Sequence, residues 1–250
     1  MPRQGRRAQP KIYTNLAPWF HLLTNPAEYA EESRFFRRAL IEHAKPRPRT
    51  LLELGSGGGN NALHLKRTFE MTLVDLSPDM LKLSRKINPG LKHLQGDMRT
   101  VRLGRQFDAV FVHDAVMYMT TERDLRAAIE TAFVHTRPGG AALFVPDHTR
   151  EGFRPETSCG GHDAYDGRAL RYMEWTWDPD PDDTQYTVDY AYLLREPDGR
   201  IRAVHDRHID GIFPRRDWLR FMREAGFRAR GLSWEHSDAG KLVAFVGTRT

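Results

Sequence analysis

The segment Leu51-Leu52-Glu53-Leu54-Gly55-Ser56-Gly57-Gly58-Gly59-Asn60 constrains this chain more than any other stretch. An apolar run with strand character breaks into glycines where a helical pattern begins. Glycines in that place let the backbone approach a ligand at the carboxyl edge of a parallel sheet. Asp75 follows 22 residues after Glu53, at the end of the next apolar run. A carboxylate there accepts both hydroxyls of a ribose, so loop and acid together describe a nucleoside site. For the loop alone, a ligand-free turn from strand to helix is the competing reading, and Glu53 and Asp75 in register argue against it.

Strand and helix signals alternate around this loop. Thr50 to Leu54 reads as a buried strand and Asn60 to Thr68 as a helix. Met71 to Asp75 is a second strand, followed by a helix from Pro78 to Ile87 with Ser77 as N-cap, Pro78 at its first position and Asn88-Pro89-Gly90 as its stop. Strands at Lys92 to Gln95 and Ala109 to His113 come next. A helix from Glu122 to His135 then places Leu125, Ala128, Ile129, Ala132 and Phe133 on one face, with Thr121 and Asp124 at capping-box spacing. Arg137-Pro138-Gly139-Gly140 turns into the strand Ala141 to Val145. The alternation predicts an α/β fold with a doubly wound parallel sheet.

The pattern changes near residue 147. His148 to Gly167 reads as a long polar loop, and Ala169 to Trp177, Gln185 to Arg195 and Ile201 to Phe213 read as antiparallel strands joined by turns at 178–183 and 197–199. A helix from Arg216 to Ala225 and strands at Phe227 to Trp234 and Leu242 to Thr248 complete the sheet. Residues 1–45 are therefore expected to be an N-terminal helical cap. Residues 46–250 form the main domain, and residues 148–213 are an antiparallel lid inserted after strand five.

Composition narrows the classes further. With 40% apolar and 28% charged residues in 250, the chain matches a globular protein. Its longest apolar runs are too short to span a bilayer. One cysteine, Cys159, excludes an internal disulfide and a multi-thiolate metal site, which points to the cytoplasm. The net charge of +5 is spread among 38 basic and 33 acidic residues and is a weak argument for a nucleic-acid partner.

The identity of the nucleoside follows from detail. A dinucleotide fingerprint needs Gly or Ala at the sixth position of G-x-G-x-x-G, and counting from Gly55 that position is Asn60. Glu53 would repel a pyrophosphate but suits a cationic amino-acid end. The pattern fits S-adenosyl-L-methionine better than NAD, and no Tyr-x-x-x-Lys pair is present for hydride chemistry.

Glu53 to Gly59 resembles the first motif of the class I S-adenosylmethionine-dependent methyltransferases. Val74-Asp75-Leu76-Ser77-Pro78-Asp79-Met80 is similar to their ribose-binding strand end, and Gly96-Asp97-Met98-Arg99 to the segment that holds adenine. Phe107 to Asp114 and Arg137 to Gly140 resemble the fourth-strand motif and the turn before strand five. The resemblance implies a Rossmann-like seven-stranded methyltransferase sheet. It also implies cofactor contacts from Glu53, Gly55, Ser56, Gly57, Asn60, Asp75, Leu76, Met80, Asp97, Met98 and His113. Tyr13 to Ala17, Tyr29 to Glu32 and the inserted strands look like the branch that contains deoxysugar N,N-dimethyltransferases and glycine or sarcosine N-methyltransferases. In that branch the N-terminal segment folds over the cofactor, which places Tyr13 and Tyr29 at its methionine end. The sugar enzymes carry a Tyr-Asp pair where this chain has Trp19-Phe20-His21, and a histidine near Tyr118.

Methyl transfer is an in-line displacement that mainly requires alignment and exclusion of water. The candidates beside the reacting methyl are His113, Asp114 and Tyr118 after the fourth strand, with His162, Tyr172, Trp175, His205 and His208 from the lid. Of these, His113, Tyr118 and His208 are the expected catalytic residues, His208 on the strength of the resemblance. Trp175 and Trp177 read as core packing. His205 and His208 are three apart in a strand and so face opposite sides, which argues against a shared metal. The fourth strand lacks the Asn/Asp-Pro-Pro-aromatic element of amino-base methyltransferases. The expected activity is N-methylation of a small amine, amino sugar or amino-acid-like. O-methylation of a hydroxylated metabolite and a non-catalytic nucleoside-binding or assembly protein are the alternatives, and a homodimer through the lid is compatible with the sequence.

Overall fold

The computed structural model describes residues 9–237 and 240–250, so Arg3, Arg6 and Arg7 and the first part of the expected cap lie outside the described residues. The chain enters through short 3₁₀ turns at Lys11–Tyr13, Ala17–Trp19 and Pro26–Tyr29, with α1 (Phe20–Leu23) among them and α2 (Ala30–His43) after them. The alternating part follows as β1 (Thr50–Leu54), α3 (Asn60–Leu65), β2 (Glu70–Asp75), α4 (Pro78–Ile87), β3 (Lys92–Gln95), β4 (Phe107–His113), α5 (Glu122–His135) and β5 (Thr136–Val145). Then come β6 (Glu156–Gly160), β7 (Ala169–Trp177), β8 (Gln185–Arg195) and β9 (Ile201–Gly211), and finally α6 (Arg215–Glu224), β10 (Phe227–His236) and β11 (Gly240–Arg249).

The expected seven-stranded sheet is present in the order β10-β11-β5-β4-β1-β2-β3, and the inserted strands form a separate antiparallel sheet, β6-β7-β8-β9. Five strands of the large sheet run parallel, and the β10–β11 hairpin joins antiparallel to β5. Period-2 alternation sends successive side chains to opposite faces, and both faces are covered. Leu51, Leu73, Phe111 and Leu143 pack with Phe36 and Leu40 of α2 and Leu65 of α3. Leu52, Val110 and Phe144 pack with Leu125 and Ile129 of α5 and with Trp218 and Phe221 of α6. Ser77 caps α4 through Met80 N and Thr121 caps α5 through Asp124 N, as their spacing predicts.

A third cluster joins the chain's start to the lid: Ile12, Leu16, Trp19 and Leu22 pack on Leu170, Tyr192 and Leu194. Asp206 on β9 reinforces this contact by accepting the amides of Lys11 and Ile12 at 3.0 Å each.

The structure corrects three sequence expectations. The loop read from His148 to Gly167 contains β6, paired with β7 from Glu156↔Thr176 to Gly160↔Tyr172. This edge strand is exposed nearly throughout and so carries no hydrophobic alternation to reveal it. β5 starts at Thr136, because Arg137 to Gly140 continue the strand while an irregularity between Phe107 and Ala109 absorbs the change of register. Trp175 is 54% exposed on the outer face of the lid rather than in a core. Among the described residues no helix is long and apolar enough to cross a membrane.

Candidate active site

The glycine loop joins β1 to α3. Gly55 has φ +74, and a Cβ added there would lie 2.4 Å from the Ala115 Cβ and 2.8 Å from the Met98 Cε. The loop therefore passes directly beneath the turn after β4. Asp75 ends β2 and braces this loop: its Oδ2 accepts the Gly57 amide at 2.7 Å and its Oδ1 accepts the Ser77 amide at 2.8 Å. Each carboxylate oxygen keeps a second lone pair for a ligand hydroxyl. Around the loop, Glu53 Oε2, Ser56 Oγ and Asn60 Oδ1 are buried without a hydrogen-bond partner. Buried polar groups are ordinarily paired, so three orphans on one loop mark a polar ligand site. Burial, and then the nearby Asp75, push the Glu53 carboxyl up to about 8.

The remaining predicted contacts fall at different distances from this cradle. Leu76 is 47% exposed beside Asp75, and Met98 touches the loop. Met80 is buried within α4, where its amide is capped by Ser77 Oγ at 3.2 Å. Asp97 is turned toward Arg99, whose Nε and Nη2 donate to it at 2.6 to 3.1 Å.

A cavity of about 300 Å³ opens where the N-terminal turns, the carboxyl edge of the large sheet and the inner face of the lid meet. Tyr13, Tyr29 and Tyr118 line it together with His208, Tyr172 and Tyr190. Tyr118 donates to Tyr13 Oη at 2.9 Å and lies 3.0 Å from His208 Nδ1. Burial raises all three predicted tyrosines, which keeps them neutral hydrogen-bonding groups. His208 Nε2 is 3.5 Å from Asp206 Oδ2 and has no hydrogen-bond partner. Thus Tyr13, Tyr29, Tyr118 and His208 come together, although they are far apart in sequence.

His113 does not join them. Its ring stacks on Phe111 behind the cavity, Asn61 Nδ2 lies 3.1 Å from its Nδ1, and its Nε2 lies 2.9 Å from Asp114 Oδ1. His113 is thus absent from the cavity lining, although Asp114 and Tyr29 beside it belong to that lining. His205 lies exposed against Asp189 on the opposite face of β9, as the spacing from His208 predicts. His162 pairs with Glu28.

Sequence reasoning named Asp114 but missed the acidic cluster that dominates the cavity. Glu28, Asp114, Asp147, Glu174 and Asp210 also line it, and among the described residues no lysine or arginine does. Asp210 is only 6% exposed, and burial pushes its carboxyl up to about 7. Two signals were readable. Asp147 stands just beyond the end of β5 at the sheet's carboxyl edge, and Asp210 lies two residues from His208 on one strand, hence on the same face.

Residues 51–140 match the family described as methyltransferase domain. This segment is a methyltransferase domain. The chain is 29% identical over 203 residues to a Streptomyces venezuelae dTDP-3-amino-3,4,6-trideoxy-α-D-glucopyranose N,N-dimethyltransferase, covering 80% of this chain and 82% of the relative. It is 28% identical over 217 residues to a Streptomyces fradiae dTDP-3-amino-3,6-dideoxy-α-D-glucopyranose N,N-dimethyltransferase, with 81% and 77% covered. The crystal structure of DesVI from Streptomyces venezuelae superposes with a TM-score of 0.83 at 25% identity, over 94% of this chain and 98% of that one. The methyltransferase domain thus carries the glycine loop, Asp75, Met98 and Asp114, whereas His208, Asp147 and Asp210 lie outside its matched residues.

Proposed function

We propose that this protein transfers a methyl group from S-adenosyl-L-methionine to the amine of a small acceptor, an amino sugar in the first instance. The observation that carries the reading is the cavity beside the glycine loop, with five carboxyl groups and no lysine or arginine among its described lining residues. An amine reaches such a site as an ammonium, and a cluster of carboxyls facing one cavity favours a cation over a neutral hydroxylated molecule. The domain match and the relatives named as methyltransferases support an enzyme over a non-catalytic nucleoside-binding protein.

The residues present fit the methyl donor. The unpartnered Glu53 carboxyl suits the ammonium of an amino-acid end, Asp75 suits two ribose hydroxyls, and Leu76 and Met98 offer apolar faces to a base. Ser56 and Asn60 supply further buried polar atoms, and Tyr13 and Tyr29 stand on the cavity side. When bound, S-adenosylmethionine supplies an electrophilic methyl on a sulfonium. The protein orients the acceptor nitrogen, excludes water by closing the N-terminal turns against the lid, and manages the proton that the nitrogen must lose. In this reading the chain up to residue 45 is a cap and residues 148–213 are the acceptor-side lid. The lone Cys159 supports a cytoplasmic setting.

Calorimetric titration with S-adenosylmethionine and S-adenosylhomocysteine tests the donor site. The expected result is saturable binding on the order of 1 μM, about 8 kcal/mol. Mass-spectrometric assay with dTDP-3-amino-3,6-dideoxy-α-D-glucopyranose and with its 3-hydroxyl counterpart then tests the acceptor class. Methylation of the hydroxyl compound alone refutes the amine reading.

A further inference from the structure

Three aspartates stand on the strands of the lid, and two of them are fully engaged. Asp189, on the outer face, is held by Arg207, His205 and the Trp177 indole. Asp206, on the inner face, accepts the amides of Lys11 and Ile12 and lies 3.5 Å from His208 Nε2. Asp210 is as deeply buried as Asp206, at 6% against 4% exposed. Yet its Oδ1 has no hydrogen-bond partner, and among the described residues no lysine, arginine or histidine forms an ion pair with it. Burying a carboxyl without a partner is costly, and buried polar groups are ordinarily paired. A carboxyl that lines a cavity and holds nothing in the protein is therefore marked as a ligand contact.

The fold seats Asp210 close to the donor loop. Exposure alternates along β9, so Asp206, His208 and Asp210 share its inner face. Gly211, the next residue, presses against the 3₁₀ turn Ala115–Tyr118 that follows β4 and against Met119, its cap. A Cβ on Gly211 would lie 2.3 Å from Met119 O and 3.2 Å from Met117 O. The same turn meets the glycine loop at Ala115, whose Cβ is 2.4 Å from where a Cβ on Gly55 would stand. One short turn thus touches the donor loop on one side and β9 on the other, and Tyr118 on it lies 3.0 Å from His208 Nδ1. Tyr13, Tyr118 and Tyr190 give the cavity aromatic walls. A carboxyl among aromatic rings suits a cation, because the charge and the ring quadrupoles attract it together.

We propose that Asp210 anchors the ammonium of the acceptor and is the residue that selects an amine over a hydroxylated molecule. The proposal rests on the amine reading above and names the specificity residue of that same site. An ammonium supplies Asp210 with both an N–H donor and a counter-charge, whereas a hydroxyl supplies the donor alone and leaves a buried charge uncompensated. Burial, opposed by the nearby His208, raises the free Asp210 carboxyl to about 7, and a bound ammonium holds it ionised. The other lining carboxyls are less committed to a ligand. Glu28 and Asp147 are exposed, Asp114 has a half-exposed side chain, and Glu174 accepts Thr176 Oγ1 at 3.2 Å. Asp210 acts at binding, and methyl transfer follows once the bound nitrogen has lost a proton.

Calorimetry on the full chain loaded with S-adenosylhomocysteine, which prevents turnover, tests this. The paired probes are dTDP-3-amino-3,6-dideoxy-α-D-glucopyranose and its 3-hydroxyl counterpart. Wild type should bind the amine roughly 10- to 100-fold more tightly than the hydroxyl compound, the range that a hydrogen bond to a charged group gives. In Asp210→Asn that ratio should shrink toward one, while the affinity for S-adenosylhomocysteine stays near wild type. Asp210→Glu, which keeps the charge, should restore part of the ratio. The thermal midpoint of ligand-free Asp210→Asn should match or exceed that of wild type, because the carboxylate it removes holds no structural partner. A lower midpoint with the amine preference intact is the signature of a purely structural aspartate and overturns the proposal, as does a preference that survives at any midpoint. If Asp210→Asn does not fold, the smaller Asp210→Ser takes the same titration. Failure of the amine reading has a different signature: wild type itself then shows no preference for the amine, and the anchor falls with it. A wild-type preference that outlasts the loss of the Asp210 carboxylate removes the anchor alone.

Discussion

The hydroxyls of Tyr118 and Tyr13 lie 2.9 Å apart although 105 residues separate them in the chain. One stands on the turn after β4 and the other on the first 3₁₀ turn, and His208 of the lid completes the contact at 3.0 Å from Tyr118. Three separately folded segments thus meet at a single oxygen. Tyr118→Phe leaves two buried polar groups without that partner. It should lower the unfolding free energy by about 1 to 3 kcal/mol in urea. Methyl transfer should slow while donor affinity, measured calorimetrically, stays near wild type, and a variant equal to wild type in both rate and stability would refute the contact's role.

Asp75 serves the loop and the ligand at once. Asp75→Ala removes two charge-assisted bonds to the Gly57 and Ser77 amides. S-adenosylmethionine binding is expected to weaken by about 1 to 3 kcal/mol. Calorimetry on folded variant protein checks this, and undiminished affinity would remove Asp75 from the donor site.

Gly55 tests how tightly the loop is built. Gly55→Ala introduces a methyl at φ +74, 2.4 Å from the Ala115 side chain, which has no flexible end to withdraw. Backbone strain of about 1 to 2 kcal/mol adds to a packing clash of about 1 to 3. The thermal midpoint should fall, and donor binding should fall with it because the displaced loop is itself the donor cradle.

The Glu53 carboxyl makes a prediction about pH. Folded, it holds its proton to about 8, whereas in the unfolded chain it ionises in the ordinary range near about 4.3. The native state then binds more protons than the unfolded state between those limits, so stability falls as pH rises through that window. Glu53→Gln should flatten this fall in urea titrations. A donor ammonium favours the ionised form, so wild-type affinity should increase with pH up to about 8, with proton release visible as a buffer-dependent binding heat. A pH-independent wild-type affinity would contradict the pairing.

Much of this was readable in the residues. Alternating strand and helix signals, capped by Ser77 and Thr121, led directly to the doubly wound parallel sheet, because each rests on local periodicity and nearest-neighbour chemistry. The glycine loop and Asp75 were legible for the same reason, since they adjoin each other across neighbouring strands β1 and β2. β6 was not, because an exposed edge strand has no buried face to impose alternation. For His113 the strand end pointed to the site, and only packing shows its ring against Phe111 and Asn61, next to the cavity-lining Asp114.

The sequence by itself determined the α/β frame, the nucleoside cradle and the position of an inserted antiparallel lid. These follow from patterns that span a few residues. Tertiary structure alone decided the acceptor side. Asp114, Asp147 and Asp210 come from the ends of β4 and β5 and from β9, and no local pattern records that their carboxyls share one cavity. Their effect on a ligand depends on that proximity, because carboxyls facing one cavity attract a cation together more strongly than any of them alone.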